Sequence, residues 1–270
     1  MGSVRRGSPM RVGEDPAAGP GEPGSALPVV LALDGVAKTY ADGTSALAPV
    51  TLSVRAGEFV SVLGPSGCGK STLLRIAAGL AAPSGGVADR RTDEVAFVFQ
   101  EPTLMPWRTV RRNVELVGEL RGLPKARLRA RAAELIERVG LGGFADHLPA
   151  ALSGGMQMRA ALAQALVMRP RLFLFDEPFS ALDEPTRQRL ADELLAVQAA
   201  DGFGAVFVTH SVSEAVYLST RLVVLSPRPG RVLADLPVRF PRPRDHELRY
   251  HPEFAGLAAE VSRLLRGATP

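Results

Sequence analysis

The sequence has 270 residues, 46% apolar, 22% charged and 6% aromatic, with a formal charge of +4. That length supports one large α/β domain or two small ones with a buried core, and the balance excludes collagenous and broadly disordered chains. The longest uncharged stretch, Ile76 to Ala88, is 13 residues and is broken by Gly79, Pro83, Gly85 and Gly86, short of the roughly 18 apolar residues a spanning helix needs, so no bilayer crossing is expected.

The first residues carry no apolar run after their arginines, so no secretory signal is expected either. A single cysteine, Cys68, excludes an internal disulfide framework and suits a reducing compartment. The positive charge is uneven: residues 1–28 are neutral, 29–227 carry +1 and 228–270 carry +3. A second local excess, nine Lys and Arg against four acids, runs from Arg108 to Arg138. Neither is a dense basic run interleaved with aromatics, so no nucleic-acid partner is expected, and 108–138 reads as a solvated helical face.

In chain order, residues 1–28 hold six Gly and five Pro and read as a disordered lead. Short apolar, β-branched runs then predict strands at 29–33, 58–63, 95–99, 171–175, 205–209 and 222–225. These runs are nearly continuous rather than alternating, which predicts strands covered on both faces, as in a parallel sheet flanked by helices. Helical spacing appears near 70–80, 109–121, 125–139, 154–168, 183–199 and 211–219, with no heptad run. The stretch 101–165 lacks strong strands and reads as a helical insertion in the 29–227 domain. Beyond it, 228–270 reads as a basic extension. There Phe254, Leu257, Ala258, Val261, Leu264 and Leu265 follow i, i+3, i+4, i+7 spacing, an amphipathic helix whose preferred reading is docking onto its own domain.

Residues 64–71, Gly-Pro-Ser-Gly-Cys-Gly-Lys-Ser, directly follow a predicted strand and open a predicted helix. That context turns a G-x-x-x-x-G-K-[ST] match into a phosphate-binding loop. Gly64, Gly67 and Gly69 let the backbone wrap closely, with Pro65, Ser66 and Cys68 between them, so that N–H groups and the helix dipole face phosphate oxygens. Lys70 brings a point charge, Ser71 a hydroxyl for Mg²⁺, and Thr72 reaches the α-phosphate. The predicted strand 171–175 ends in Asp176 and Glu177, at the sheet edge where α/β proteins bind ligands. Asp176 is placed to hold Mg²⁺ and Glu177 to act as general base on the attacking water.

Further along, Leu-Ser-Gly-Gly (152–155) lies about 20 residues before the Asp176–Glu177 pair. Together with the 64–72 loop, it resembles the signature of the ATP-binding-cassette (ABC) ATPases. Gln100 resembles the family's Q-loop residue, Ser-Ala-Leu-Asp (180–183) its D-loop, His210 its switch histidine, and Tyr40, 24 residues before Gly64, the aromatic that stacks on adenine. The resemblance spans about residues 30–227. It implies an α/β fold: a P-loop ATPase core with a mostly parallel sheet, an antiparallel N-terminal β-subdomain and an inserted helical subdomain.

It also implies a site completed by two chains. Ser153, Gly154 and Gly155 begin a second helix whose N-terminus can bind an anion, with Gln157 in its first turn. In the family this end caps the γ-phosphate held by a partner, either a second copy or another ATPase chain, and Asp183 joins the two sites. Gln100 senses Mg²⁺ and the attacking water; His210 contacts the γ-phosphate. Ser211, Met158 and Gln164 stand where the family often has Asp, Gln and Arg.

The segments 226–231 (Ser-Pro-Arg-Pro-Gly-Arg) and 240–245 (Phe-Pro-Arg-Pro-Arg-Asp) resemble ATPases of nitrate, sulfonate and taurine importers. This implies an ATP-hydrolysing subunit at the cytoplasmic face of the membrane, working with a separate integral-membrane permease and, indirectly, a periplasmic or lipid-anchored solute-binding protein. Met105 and Trp107 are candidate permease contacts, with Trp107 packing the helical insertion as the alternative. Another small solute, such as a pyrimidine vitamin precursor, or a soluble ABC ATPase outside transport, are the alternative functions.

Overall fold

Two sheets organise the chain. In the computed structural model residues 27–267 are described; residues 1–26 and 268–270, and with them most of the predicted 1–28 lead, lie outside the described residues. The elements in order are β1 (Val29–Thr39), β2 (Ser45–Arg55), β3 (Phe59–Leu63), α1 (Lys70–Ala77), β4 (Gly85–Arg90), β5 (Val95–Val98), α2 (Val110–Leu120), α3 (Lys125–Arg138), α4 (Gly154–Leu166), β6 (Leu172–Asp176), α5 (Glu184–Asp201), β7 (Gly204–Thr209), α6 (Val212–Leu218), β8 (Arg221–Leu225), β9 (Val232–Pro237) and α7 (Pro252–Gly267). One sheet is antiparallel with order β2-β1-β4; the other has order β5-β6-β7-β3-β8-β9 and is parallel except for its last strand.

The central strands show why their sequences are apolar without a break. Side chains alternate across a strand, yet both faces are covered. Phe59, Phe173, Phe175, Phe207, Leu222 and Val224 point into a core shared with α2–α7, while Val60, Val62, Leu172, Leu174, Val206 and Val208 point into a second core shared with α1 and the antiparallel sheet. On the first face Phe59, Phe175, Phe179 and Phe207 form a ring cluster, with centroids 5.5–5.8 Å from Phe207. Each buried ring contributes about 2–3 kcal/mol of apolar transfer, enough together to fix this register.

Three strands escaped the sequence reading. In β2 the signal was available: Val50, Leu52 and Val54 are buried while Thr51 is exposed and Ser53 half-buried, an alternation that marks one buried face. The residues of β4 are mostly exposed and offer little pattern. β9 lies inside the stretch read as an extension, but it pairs antiparallel with β8 through Val224↔Ala234 and Leu222↔Leu236, so the sheet runs past residue 227. In the predicted helical insertion, α2 to α4 pack on one another around Val114, Leu128, Ala132 and Ala163.

The tail after β9 is fastened by arginines. Arg242 donates to Leu218 O (2.8 Å) and to Gln198 Oε1, and Arg244 donates to Val216 O (3.3 Å), Tyr217 O and Ser219 O (2.6 Å). Apart from Gln198 Oε1, on α5, these are the last carbonyls of α6, which have no intrahelical partners, and cations suit a helix C-terminus. Arg249 donates to Asp192 Oδ1 (2.9 Å) on α5, and its guanidinium lies 3.4 Å from the Tyr217 ring centroid. Helix α7 then lays Phe254 and Val261 into the core, with Leu257, Ala258, Leu264 and Leu265 packed beside them. The motif 240–245 thus ties the tail to the helix that follows His210.

Candidate nucleotide-binding site

The site grows from the ends of three neighbouring parallel strands. β7 lies between β3 and β6, with Thr209 beside Leu63 and Val208 beside Asp176. The loop after β3, the carboxylates ending β6 and His210 after β7 are therefore brought to one edge. Loop 64–69 leads into α1, and Gly69 adopts φ +103°, where a Cβ would stand 2.7 Å from Ala46 O and from Leu47. Only glycine fits that turn against β2. The first bond of α1 runs from Leu73 N–H to Gly69 O (2.9 Å), so the N–H groups of Ser71 and Thr72 come before the first helical acceptor and can face an anion, as at any helix start.

Lys70 is 5% exposed and donates to Gly64 O (2.8 Å) and Pro65 O (3.0 Å), so its ammonium is already held at the loop. It lies 3.9 Å from Glu177 Oε1, and His210 Nδ1 lies 3.1 Å from Glu177 Oε2. Glu177 thus sits between the loop lysine and the strand-end histidine. Its backbone has φ +47°, a left-handed conformation rarely adopted by a residue with a side chain, held by Glu177 N–H to Val208 O at 2.9 Å. Such strain, about 1 kcal/mol or more, collects where a side chain must be aimed. Ser71 donates its hydroxyl to Asp176 Oδ1 at 2.9 Å. Burial holds the Asp176 carboxyl above its ordinary range; the Ser71 bond opposes this and the Glu177 charge adds to it.

A cleft of about 320 Å³ is lined by Tyr40, Ser66, Gly67, Lys70, Thr72 and Glu177, among others. Tyr40 donates to or accepts from Thr72 Oγ1 at 3.0 Å and is 42% exposed, leaving ring surface for a stacked base. Free N–H groups, an ammonium and an aromatic face suit a nucleoside polyphosphate. The hydroxyl of Ser71 and the carboxylate of Asp176 are hard oxygen donors, and among the described residues no cluster of three His, Cys, Asp or Glu forms a metal cage. That set fits Mg²⁺, which keeps its waters and takes few protein ligands beside substrate phosphates.

Other predicted residues stand elsewhere. Gln100 follows β5, is exposed and lies outside the cleft lining. Pro65 and Cys68 belong to the loop but do not line the cleft; Cys68 is 1% exposed, and burial pushes its thiol up, against the Lys70 charge. Ser153 caps α4 by accepting from Met156 N–H (3.3 Å), and Gln157 donates to Pro149 O (3.1 Å) and Leu152 O (3.3 Å), fixing the turn before it. Ser153 and Gly154 are exposed, whereas Gly155 is buried where a Cβ would stand 2.6 Å from Thr186 of α5. Asp183 caps α5 by accepting from Thr186 N–H (3.4 Å); the Thr186 hydroxyl, with that N–H adding to it, holds the Asp183 carboxyl below the ordinary range. The starts of α4 and α5 are therefore packed together, but neither lines this chain's cleft.

Two of the family departures have a physical account. Ser211 caps α6 by accepting from Glu214 N–H (3.3 Å), a position that Asp also fills well. Met158 is 4% exposed in the apolar core, a place suited to a thioether. Sequence reasoning missed Arg228, which lines the cleft and donates through Nε to Gly67 O at 3.0 Å. It also missed a support under His210: Thr209 donates to Glu214 Oε2 (2.6 Å), and Arg187 Nε lies 3.2 Å from Glu214 Oε1.

A phosphate loop between a parallel strand and a helix, facing a strand-end Asp-Glu pair, defines a P-loop nucleotide-hydrolysing protein. The family described as "ABC transporter" matches residues 47–180. The chain is 49% identical over 226 residues to "Aliphatic sulfonates import ATP-binding protein SsuB 1" of Pseudomonas syringae pv. syringae (strain B728a), covering 84% of this chain and 92% of that one. It is 46% identical to an uncharacterised ABC transporter ATP-binding protein of Methanocaldococcus jannaschii, covering 82% and 84%. A solved dimer of MJ0796, a bacterial ABC transporter cassette, superposes with a TM-score of 0.70 at 35% identity, covering 78% of this chain and 99% of that one. The same cassette, solved in a post-hydrolysis state with ADP and Pi, gives a TM-score of 0.68. The chain belongs to the ABC transporter family, and it is an ATP-binding ATPase of that family.

Proposed function

We propose that the chain is the ATP-hydrolysing subunit of an aliphatic sulfonate importer, peripheral to the cytoplasmic face of the membrane and paired with a separate permease. The observation that carries the substrate is the 49% identity over 92% of the length of the P. syringae sulfonate protein. Among the described residues no helix is long and apolar enough to cross a membrane, so the translocation path is assigned to the permease. A solute-binding protein delivers the substrate on the far side.

Within one chain, Lys70 and the start of α1 bind the β- and γ-phosphates and Tyr40 stacks on the base. Glu177 takes a proton from the attacking water, and His210, supported by Glu214 and Thr209, orients Glu177 and meets the γ-phosphate. Ser71 and Asp176 would hold Mg²⁺, which neutralises charge on the phosphates when bound. The start of α4, exposed and remote from its own cleft, suits a partner's γ-phosphate in a two-fold dimer. ATP favours the closed pair and phosphate loss reopens it. Support for a permease contact near Gln100 comes from Trp107, which is 74% exposed and so does not pack the helical insertion. On the same loop Met105 is fixed by fully buried Asn113 and lines a cleft of about 490 Å³.

Deleting the gene tests the substrate. Growth on an alkanesulfonate as sole sulfur source should be lost and growth on sulfate retained. Normal growth on alkanesulfonates, with loss on taurine or nitrate instead, would overturn the sulfonate assignment.

A further inference from the structure

The turn between β8 and β9 reaches the phosphate loop from a part of the chain that the ATPase motifs do not include. Its backbone is held on three sides. Ser226 N–H donates to Arg231 O (2.9 Å), Gly230 N–H donates to Ala46 O (3.0 Å), and Ala48 N–H donates to Gly230 O (3.0 Å). Gly230 also lies so close to the loop that a Cβ there would stand 2.1 Å from Cys68 O. From this turn Arg228 extends over Gly67: Nε donates to Gly67 O at 3.0 Å, and Nη2 lies 3.1 Å from where a Gly67 Cβ would stand.

The side chain lines the same cleft as Tyr40, Lys70 and Thr72. Its one hydrogen bond uses Nε, so among the described residues both terminal amino groups are uncommitted. Lys70, in contrast, is already bonded to two loop carbonyls and lies near the Glu177 carboxylate. The cleft therefore holds one cation largely engaged with the protein and a second with donors to spare.

We propose that Arg228 is a nucleotide-binding residue, clamping the phosphate loop through Gly67 O and offering its terminal amino groups to the polyphosphate of the bound nucleotide. A guanidinium does both at once because its donors form a planar fork, which an ammonium lacks. The anchored turn delivers it with little ordering entropy left to lose. The inference rests on reading this cleft as the ATP site.

The test is calorimetric binding of MgATP, MgADP and adenosine to the full chain and to the Arg228→Gln, Arg228→Lys and Lys70→Ala variants. Arg228→Gln should weaken MgATP and MgADP about tenfold, leave adenosine within about twofold, and make ATP binding less sensitive to salt. Arg228→Lys should recover part of the charge effect but not the whole affinity, and kcat at saturating ATP should change less than KM. Unchanged MgATP affinity in Arg228→Gln, with binding lost in Lys70→Ala, overturns the proposal while leaving the site intact. An equal loss for adenosine and MgATP overturns the phosphate contact and reduces Arg228 to packing. MgATP binding retained in Lys70→Ala would instead reject the cleft as the ATP site.

Discussion

Replacing Glu177 by Gln is expected to lower ATP turnover by about a thousandfold while ATP binding persists. The amide keeps the shape of the side chain and can still accept from His210 Nδ1, now 3.1 Å from Oε2, but it cannot take a proton from water. The backbone at Glu177, at φ +47°, is set by Val208 O and the strand end rather than by the carboxylate, so the fold should be unaffected. Phosphate release under saturating ATP measures the first part. Size exclusion with ATP measures the second, because a pair that closes and cannot hydrolyse should accumulate as a dimer. Near-normal phosphate release would remove Glu177 from the general-base role.

The second large effect is on stability. Replacing Arg244 by Met should destabilise the chain by about 2 kcal/mol and lower Tm by roughly 6 °C. The reason is local. Arg244 donates to the carbonyls of Val216, Tyr217 and Ser219, and those acceptors lose their donor together. The half-buried guanidinium already loses some solvation: burial, with the Arg242 charge adding to it, pushes its pKa down to about 10. The stabilising part is therefore the three carbonyl bonds less that penalty, which keeps the net effect modest. Arg244→Lys should fall between, since one ammonium cannot span the same three acceptors. Thermal unfolding measures both; a Tm unchanged in Arg244→Met would mean that the tail does not fasten α6.

The residues that meet at the strand ends, from the 64–71 loop to Asp176, Glu177 and His210, were legible in the sequence because strong local rules operate there. A glycine loop before a helix and carboxylates after an apolar strand have few other uses together. It carried the central sheet for a related reason: strands buried on both faces leave unbroken runs such as 172–175 and 205–208. It failed where elements are half exposed or held by long-range partners. β9 alternates and owes its place to pairing with β8, which no local pattern records. Arg228 stood in view within 226–231, but its significance depends on contact with Gly67, 161 positions away in sequence. The arginines at 242 and 244 likewise gained a meaning only when the end of α6 was seen beside them.

A complete hydrolytic site made by two chains is tested most directly by mixing two inactive variants. Lys70→Ala removes the ammonium of the phosphate loop. Gly154→Asp places a negative charge at the exposed start of α4, where the nearest other atom, on Leu182, is 3.7 Å from the new Cβ. Each variant alone should show almost no ATPase activity. Mixed in equal amounts, they should regain about a quarter of the wild-type sites, because half of the pairs are mixed and each mixed pair holds one intact site. Full activity in Gly154→Asp alone, or no recovery on mixing although mixed dimers form, would contradict a site shared between two chains.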